Sequence, residues 1–182
     1  VIAGGMANNF LKYDGYNIQK SLHEENVDHL IGEILDFSSK NNCRLVLPID
    51  AVTADKISNK ADTKESDIDN IEEQNMILDI GKNTVKLIKN EISKSKTVFW
   101  NGPLGVFETS PFDRGTVEIA KFISNLTANN KIRSFAGGGD TISALDLARV
   151  KDKFSYVSTG GGALLELIEG KKLPGLVALG IL

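Results

Sequence analysis

The sequence predicts an α/β fold, specifically a three-layer, doubly wound parallel sheet of the Rossmann-like kind. Short apolar runs rich in β-branched and aromatic residues recur along the chain, and stretches with helical apolar periodicity lie between them. Glycine- or turn-rich loops follow the apolar runs. Strands that alternate with helices imply a mostly parallel sheet with right-handed crossovers and helices on both faces.

The predicted strands are five short apolar runs, at 1–3, 45–47, 97–100, 132–136 and 156–158. Helical periodicity is visible around 27–35, 85–92 and 117–123, and glycine-rich loops open further predicted helices over 141–148 and from 162 to about 169. The polar stretch 55–75 interrupts this rhythm. We therefore expect it to be a solvated surface excursion.

Length and composition indicate one ordinary globular domain or two very small ones. The chain has 182 residues, of which 41% are hydrophobic and 25% charged, so it can bury a core. Its net charge of −3, with no basic face, argues against a nucleic-acid binder. The longest nearly uncharged apolar stretch, 173–182, is too short to span a bilayer, and we expect no membrane association.

The first residues and the cysteine content bear on the compartment. The chain starts without Met and without a basic region, as if in mid-element, and this predicts no secretory signal. Cys43 is the only cysteine, so no internal disulfide can form. A reducing compartment fits this content best, and we expect the protein in the cytoplasm. Cys43 precedes a predicted strand, where a buried or half-buried thiol is expected.

The ends of the predicted strands indicate where a ligand binds. The loops that follow the five strands are at 4–5, 48–50, 101–103, 137–140 and 159–162. In open α/β sheets, ligands bind outside the carboxyl ends of the strands, where loops meet helix N-termini. The loops therefore predict one site.

The strongest local signal is the glycine loop, which we define as 137–141, where a strand passes through three glycines into a helix. Glycines let backbone N–H groups approach an anion, and a helix N-terminus adds partial positive charge. Asp140 offers a hard oxygen ligand of the type that Mg²⁺ takes beside phosphates, and the Thr141 hydroxyl can donate to a phosphate oxygen. The alternative is that Asp140 is an N-cap and the glycines form a tight turn.

The segment 101–108 carries parts of a nucleotide site. Asn101 offers an amide, Pro103 and Val106 offer apolar surface suited to a flat base, and Glu108 could accept hydrogen bonds from ribose hydroxyls. The alternative is a turn-rich connection with a surface glutamate. None of the candidate loops carries Lys or Arg at its core, although phosphoryl transfer needs cations, so the chain holds half of a transferase site.

The remaining aspartates and the absence of two common nucleotide-binding fingerprints narrow the possible functions. We expect structural roles for Asp50 and Asp55, and we rank Leu78 above Asp79 for nucleotide contact. The G-x-x-x-x-G-K-[ST] and G-x-G-x-x-G fingerprints are absent, which disfavours a nicotinamide-dependent oxidoreductase.

Taken together, the loops resemble the carboxyl-terminal, nucleotide-binding domain of phosphoglycerate kinase, the second domain of a two-domain kinase. The resemblance covers essentially the whole chain. It rests on GGMANNFLK at 4–12, LPIDAVTAD at 47–55, LDIG at 78–81, WNGPLGVFE at 100–108, AGGGDT at 136–141 and STGGGALLELIEGKKLPG at 158–175.

This resemblance implies reversible phosphoryl transfer between 1,3-bisphosphoglycerate and ADP, giving 3-phosphoglycerate and MgATP in glycolysis. It implies catalytic backbone groups at Gly138 and Gly139 and magnesium bound by Asp140. Residues implied around the nucleotide phosphates are Asn101, Gly138, Gly139, Asp140 and Thr141. Residues implied at the adenine are Gly5, Leu78, Pro103 and Val106, with Glu108 at the ribose hydroxyls.

The resemblance also implies that 1–182 is one nucleotide-binding domain and a fragment of the family's chain. By this resemblance, we expect these 182 residues to lack the domain's first strand–helix segment, the family's GGAK-type segment with its transfer lysine, and the amino-terminal phosphoglycerate-binding domain. We therefore expect a monomer that binds ADP or ATP with Mg²⁺ and is inactive alone. The alternative function is a non-catalytic nucleotide-binding module.

Overall fold

The structure is a computed structural model and describes residues 1–181. Two compact units form along the chain. The first comprises 1–94 and 103–119, and the second comprises 95–102 and the chain from Ala120 onwards.

The first unit is built on an antiparallel sheet. Its three strands are β1 (Asp50–Ala54), β2 (Lys64–Asp67) and β3 (Met76–Ile80), in the spatial order β2-β1-β3. Its helices are α1 (Gly4–Tyr13), α2 (Asp28–Lys40) and α3 (Lys82–Lys94), and a short 3₁₀ turn covers Ile68–Asn70.

The core of the first unit lies where α1 meets this sheet. Leu11 of α1 packs with Ala51 of β1 and with Ile68 and Ile71, which follow β2. A second cluster joins Ala54, Leu78 and Phe112, with Val106 packed against it. Burial of these apolar side chains removes them from water, which is the main favourable term in folding.

The second unit is built on a parallel sheet. Its strands β4 (Thr97–Asn101), β5 (Arg133–Gly137) and β6 (Tyr156–Ser158) lie in that spatial order. Helix α4 (Arg114–Ala128) begins in the first unit and ends in the second. The remaining helices are α5 (Gly139–Leu147), α6 (Gly162–Ile168) and α7 (Pro174–Ala178), with a 3₁₀ turn at Lys151–Lys153.

The α/β class and its parallel sheet are confirmed. Helices α2 to α6 lie where apolar periodicity and glycine loops predicted them, and β4 to β6 match three of the predicted strands. The predicted strands at 1–3 and 45–47 are wrong, since neither segment forms a strand. A backbone hydrogen bond joins them, from Ile2 N to Val46 O at 3.0 Å, but no regular ladder develops.

Two further expectations are corrected. The stretch 55–75 is not only a surface excursion, because it contains β2 and buries Ser66, Ile68 and Ile71. Cys43 is exposed, because it lies in the exposed connection just after the turn that follows α2. No helix within residues 1–181 is both long and apolar enough to cross a membrane.

Candidate functional site

The loops of the second unit leave one edge of its parallel sheet. The strand register pairs Asn101, the last residue of β4, with Gly137, the last residue of β5. The same register pairs Gly137 with Ser158 at the end of β6. The carboxyl ends of all three strands therefore lie side by side, as expected of a ligand site in an open α/β sheet.

Gly138 occupies a backbone conformation that only glycine adopts readily. Its φ is +94° and its ψ is 141°. A Cβ built there would lie 2.8 Å from Asn101 Oδ1 and 3.4 Å from Thr141 Oγ1. The Asn101 side chain therefore lies against the bare backbone of the glycine loop, and a side chain at 138 would displace it.

Helix α5 begins directly after Gly138, which is its N-cap, and no side chain caps it. Its first-turn N–H groups therefore lack a side-chain acceptor, and they carry the positive end of the helix dipole. Asp140 lies in this first turn and is exposed. The alternative in which Asp140 is the N-cap is thus wrong, and its carboxylate is free of that role.

Thr141 connects this helix to the end of β4. It is only 1% exposed, and its Oγ1 accepts a hydrogen bond from Gly102 N at 2.7 Å. The indole N–H of Trp100 donates to the carbonyl oxygen of Gly102. These bonds hold the Asn101–Gly102 backbone beside the start of α5, while the Thr141 hydroxyl retains one hydrogen that it can donate.

The loop after β6 is a second glycine turn on the same sheet edge. Gly161 has φ +49°, and Gly160 N donates to Ser158 Oγ at 3.2 Å. Gly162 then begins the short helix α6. This loop carries no carboxylate, so it is chemically unlike the glycine loop.

The donor set for a metal at the glycine loop is a single carboxylate. Within residues 1–181 there is no group of three or more His, Cys, Asp or Glu side chains that could hold a metal ion. Asp140 is the acidic residue in the first turn of α5. One carboxylate beside an uncapped helix N-terminus fits Mg²⁺, which is usually held by one or two carboxylates, waters and substrate phosphates.

The adenine candidates lie in the first unit, which is described by itself. Gly4 has φ +61°, and a Cβ there would lie 3.3 Å from Pro103 O, so the start of α1 lies against the segment that begins at Pro103. Gly5 follows in α1 and is exposed. The structure therefore brings Gly4, at the start of α1, and Pro103 together, although the two residues are distant in sequence.

Leu78 and Val106 are joined directly. Val106 N donates to Leu78 O at 2.8 Å, and both side chains belong to the cluster around Phe112. Leu78 is 4% exposed, so its side chain forms part of the core wall rather than an open surface. Glu108 is exposed and follows the buried Phe107, which places its carboxylate in solvent beside this wall.

The model of the family described as phosphoglycerate kinase matches residues 1–171. The chain belongs to the phosphoglycerate kinase family. A phosphoglycerate kinase of Chelativorans sp. (strain BNC1) is 48% identical over 179 residues, covering 98% of this chain and 45% of that protein. One from Xanthobacter flavus is 45% identical with the same coverage.

Solved phosphoglycerate kinases share the fold. The structure from Coxiella burnetii superposes with a TM-score of 0.87 at 39% identity and covers 93% of this chain and 43% of that one. The structure from Pyrococcus horikoshii OT3 has a TM-score of 0.71 at 29% identity and covers 98% of this chain and 44% of that one. The chain therefore spans about 45% of the length of the curated phosphoglycerate kinases it matches.

Of the two aspartates expected to be structural in this member of the phosphoglycerate kinase family, Asp50 is buried and Asp55 is exposed. Asp50 is 2% exposed and accepts hydrogen bonds from the backbone of Asn83 at 2.8 Å and Thr84 at 2.7 Å, so it caps α3. Its structural role is confirmed. Asp55 forms a surface pair with Lys56 at 3.6 Å.

Asp79, which the sequence ranks below Leu78 for nucleotide contact, is 1% exposed. Its carboxylate lies against glycines at 105 and 115, where a Cβ would come within 2.6 Å of Asp79 Oδ1. An aspartate inside an apolar strand, together with glycines further along the chain, was the available signal. Sequence alone does not show that these residues meet.

Proposed function

We propose that this chain supplies the ADP- and ATP-binding part of a phosphoglycerate kinase. In this reaction an oxygen of the ADP β-phosphate attacks the phosphorus of the acyl phosphate in 1,3-bisphosphoglycerate. The new P–O bond forms ATP, and the broken acyl P–O bond leaves the carboxylate of 3-phosphoglycerate. The reverse step phosphorylates that carboxylate.

The observation that carries this proposal is the geometry of the glycine loop. Gly138 has a glycine-only conformation, and Gly139 has no atom within 4 Å of where a Cβ would be. An uncapped helix with an acidic residue in its first turn follows. Open backbone N–H groups at a helix N-terminus form a site for phosphate oxygens.

In this proposal the backbone N–H groups of Gly138 and Gly139 stabilise the phosphoryl group in transit. Such transfers involve little covalent chemistry by the protein, so catalysis consists of positioning and charge stabilisation. Asn101 donates its amide to a phosphate oxygen beside Gly138. Thr141 donates its remaining hydroxyl hydrogen while its oxygen stays bonded to Gly102 N.

Asp140 would hold Mg²⁺ through its exposed carboxylate. When bound, Mg²⁺ would neutralise charge on the nucleotide phosphates. The protein's own part is to keep that carboxylate in the first turn of α5, on the loop whose backbone binds the phosphates.

The family resemblance extends the proposal to the first unit. Gly5, Pro103 and Val106 would form the apolar surface for adenine, with the buried Leu78 supporting it from the core. Glu108 would accept hydrogen bonds from the ribose hydroxyls. The Leu78–Val106 hydrogen bond and the exposed carboxylate of Glu108 support these roles.

The complete enzyme in this proposal also contains an amino-terminal domain. The residues that bind 3-phosphoglycerate and 1,3-bisphosphoglycerate belong to the amino-terminal domain, and this chain supplies none of them. We expect a monomeric glycolytic enzyme of the cytoplasm that has no nucleic-acid or membrane partner.

The test uses the full-length protein that carries this sequence. Its MgADP affinity and its kinase activity are compared with those of the Asp140→Ala variant. The variant should lose the magnesium-dependent gain in ADP affinity and most of the activity, and it should keep its fold because Asp140 is exposed. Asp152→Ala, an exposed change in the Lys151–Lys153 turn, is the control and should behave as the parent. Unaltered magnesium dependence in Asp140→Ala would count against the proposal.

A further inference from the structure

The first unit contains a buried carboxyl group that the proposed chemistry does not use. Asp79 lies in β3, next to Leu78, and is 1% exposed. A buried carboxylate needs hydrogen-bond donors to offset its lost hydration. Its contacts therefore show which elements depend on it.

Both oxygens of Asp79 accept backbone hydrogen bonds. Oδ2 accepts from Gly115 N at 2.7 Å, in the first turn of α4, and Oδ1 accepts from Ile80 N at 2.8 Å. The carboxylate thus ties the start of α4 to β3. Gly115 has room only for a hydrogen, because a Cβ would lie 2.6 Å from Asp79 Oδ1.

The segment that carries three of the proposed base and ribose residues packs on the same carboxylate. We call it loop 103–108. A Cβ at Gly105 would lie 2.5 Å from Asp79 Oδ1 and 2.7 Å from Leu78 O, so the loop backbone lies directly against both. The loop is held on one side by the Val106 N to Leu78 O bond at 2.8 Å.

On its other side, loop 103–108 is held by α4. Leu104 N donates to Thr116 Oγ1 at 3.0 Å, and Thr116 is fully buried in the first turn of that helix. Loop 103–108 is therefore held by hydrogen bonds to β3 on one side and to α4 on the other. The Asp79 side chain accepts backbone hydrogen bonds from both of these elements.

We propose that Asp79 is a positioning residue for nucleotide binding, which fixes loop 103–108 by tying the first turn of α4 to β3. This inference rests on the proposed function, because loop 103–108 matters to the ligand only if Pro103, Val106 and Glu108 contact the adenosine moiety. Asp79 itself touches no substrate.

The ionisation of Asp79 makes the tie between α4 and β3 depend on pH. Burial raises its pKa to about 7, while the hydrogen bonds from Gly115 and Ile80 lower it. The charged groups that act on it are Asp113, which raises the pKa, and Arg114, which lowers it. The two backbone hydrogen bonds favour the ionised form, so while Asp79 stays buried, its protonation weakens the tie between α4 and β3. Acidification through pH 7 should therefore weaken binding of the base and ribose.

Adenosine is the probe, because it has no phosphate that titrates near neutral pH. Its dissociation constant is measured for the full-length protein between pH 8 and pH 6 by NMR titration, beside that of MgADP. The parent protein should bind adenosine several-fold more weakly at pH 6 than at pH 8. Asp79→Asn should bind it several-fold more weakly than the parent at pH 8, with no further change at pH 6.

Steady-state kinetics separate positioning from a merely structural role. In Asp79→Asn the KM for ADP should rise several-fold while kcat and the KM for 3-phosphoglycerate stay near the parent values, whereas partial unfolding would lower kcat alone. Asp69→Asn, an exposed change in the same unit, is the matched control and should keep the parent pH profile.

The outcomes separate the two proposals. If the parent binds neither MgADP nor adenosine, the proposed function fails. If the parent binds MgADP but its adenosine affinity is absent or independent of pH, the inference about Asp79 is overturned while the proposed function stands. The parent profile decides this even if Asp79→Asn does not fold.

Discussion

Two adjacent glycines of the glycine loop have different physical roles. Gly138 has φ +94° and faces Asn101 Oδ1, whereas Gly139 has open space where a Cβ would lie. Backbone conformation therefore demands glycine at 138. At position 139 the folded chain itself does not require glycine, so any requirement for glycine there comes from a bound ligand.

This difference predicts opposite effects on stability for two substitutions. Gly138→Ala should lower the free energy of unfolding by roughly 1–3 kcal/mol, because it forces a non-glycine residue into a strained region. Gly139→Ala should leave it unchanged or raise it by about 0.4–1 kcal/mol, as alanine does at unstrained helical positions. Chemical denaturation of both variants measures this.

The Gly138→Ala and Gly139→Ala variants should change affinity for MgADP in the same direction, unlike their effects on stability. Both should bind MgADP more weakly, since a methyl group at either position keeps phosphate oxygens from the backbone N–H groups. A Gly139→Ala variant that kept full MgADP affinity would contradict phosphate binding at this loop.

The helices and strands show where sequence patterns succeed. Helices α3 and α4 are predicted because Val85, Ile88 and Ile92, and likewise Val117, Ala120 and Ile123, repeat with helical period. All of these except the half-buried Val117 are buried. The parallel strands β4 to β6 were predicted because apolar runs end in glycine-rich loops. In each case the local pattern and the tertiary packing agree.

The antiparallel sheet of the first unit was missed for physical reasons. Strand β2 has the sequence KESD and buries only Ser66, so its pairing with β1 rests on backbone hydrogen bonds rather than apolar alternation. A polar edge strand of this kind has the composition of a loop. Its pairing depends on contacts between distant residues.

The cap of α3 by Asp50 is a contact between elements that predicts a stability change. Asp50→Ala should lower the free energy of unfolding by roughly 1–3 kcal/mol, because the N–H groups of Asn83 and Thr84 lose their acceptor. The midpoint of urea denaturation measures the effect. Asp55→Ala removes only a surface pair and should change the midpoint little. Equal effects of the two substitutions would contradict the capping role.

At the level of the complete chain, the glycine loop and loop 103–108 could be identified from motifs because their residues are contiguous in sequence. The role of Asp79 could not, because Gly105 and Gly115 approach it only after folding. The cations that phosphoryl transfer requires are absent from the candidate loops, and this observation came from sequence alone.

The missing cations predict that the 182-residue chain by itself binds MgADP weakly and catalyses no detectable phosphoryl transfer. A calorimetric titration measures the binding, and a coupled kinase assay measures turnover. Measurable turnover by the isolated chain would refute this division of roles.

The central claim is that the backbone of the glycine loop binds the nucleotide phosphates. The most direct measurement follows the ¹⁵N–¹H signals of the full-length protein during titration with MgADP and, separately, with adenosine. MgADP should shift the amide signals of Gly138 and Gly139, and adenosine should leave them in place. Saturation with MgADP that leaves both signals unmoved would contradict the claim.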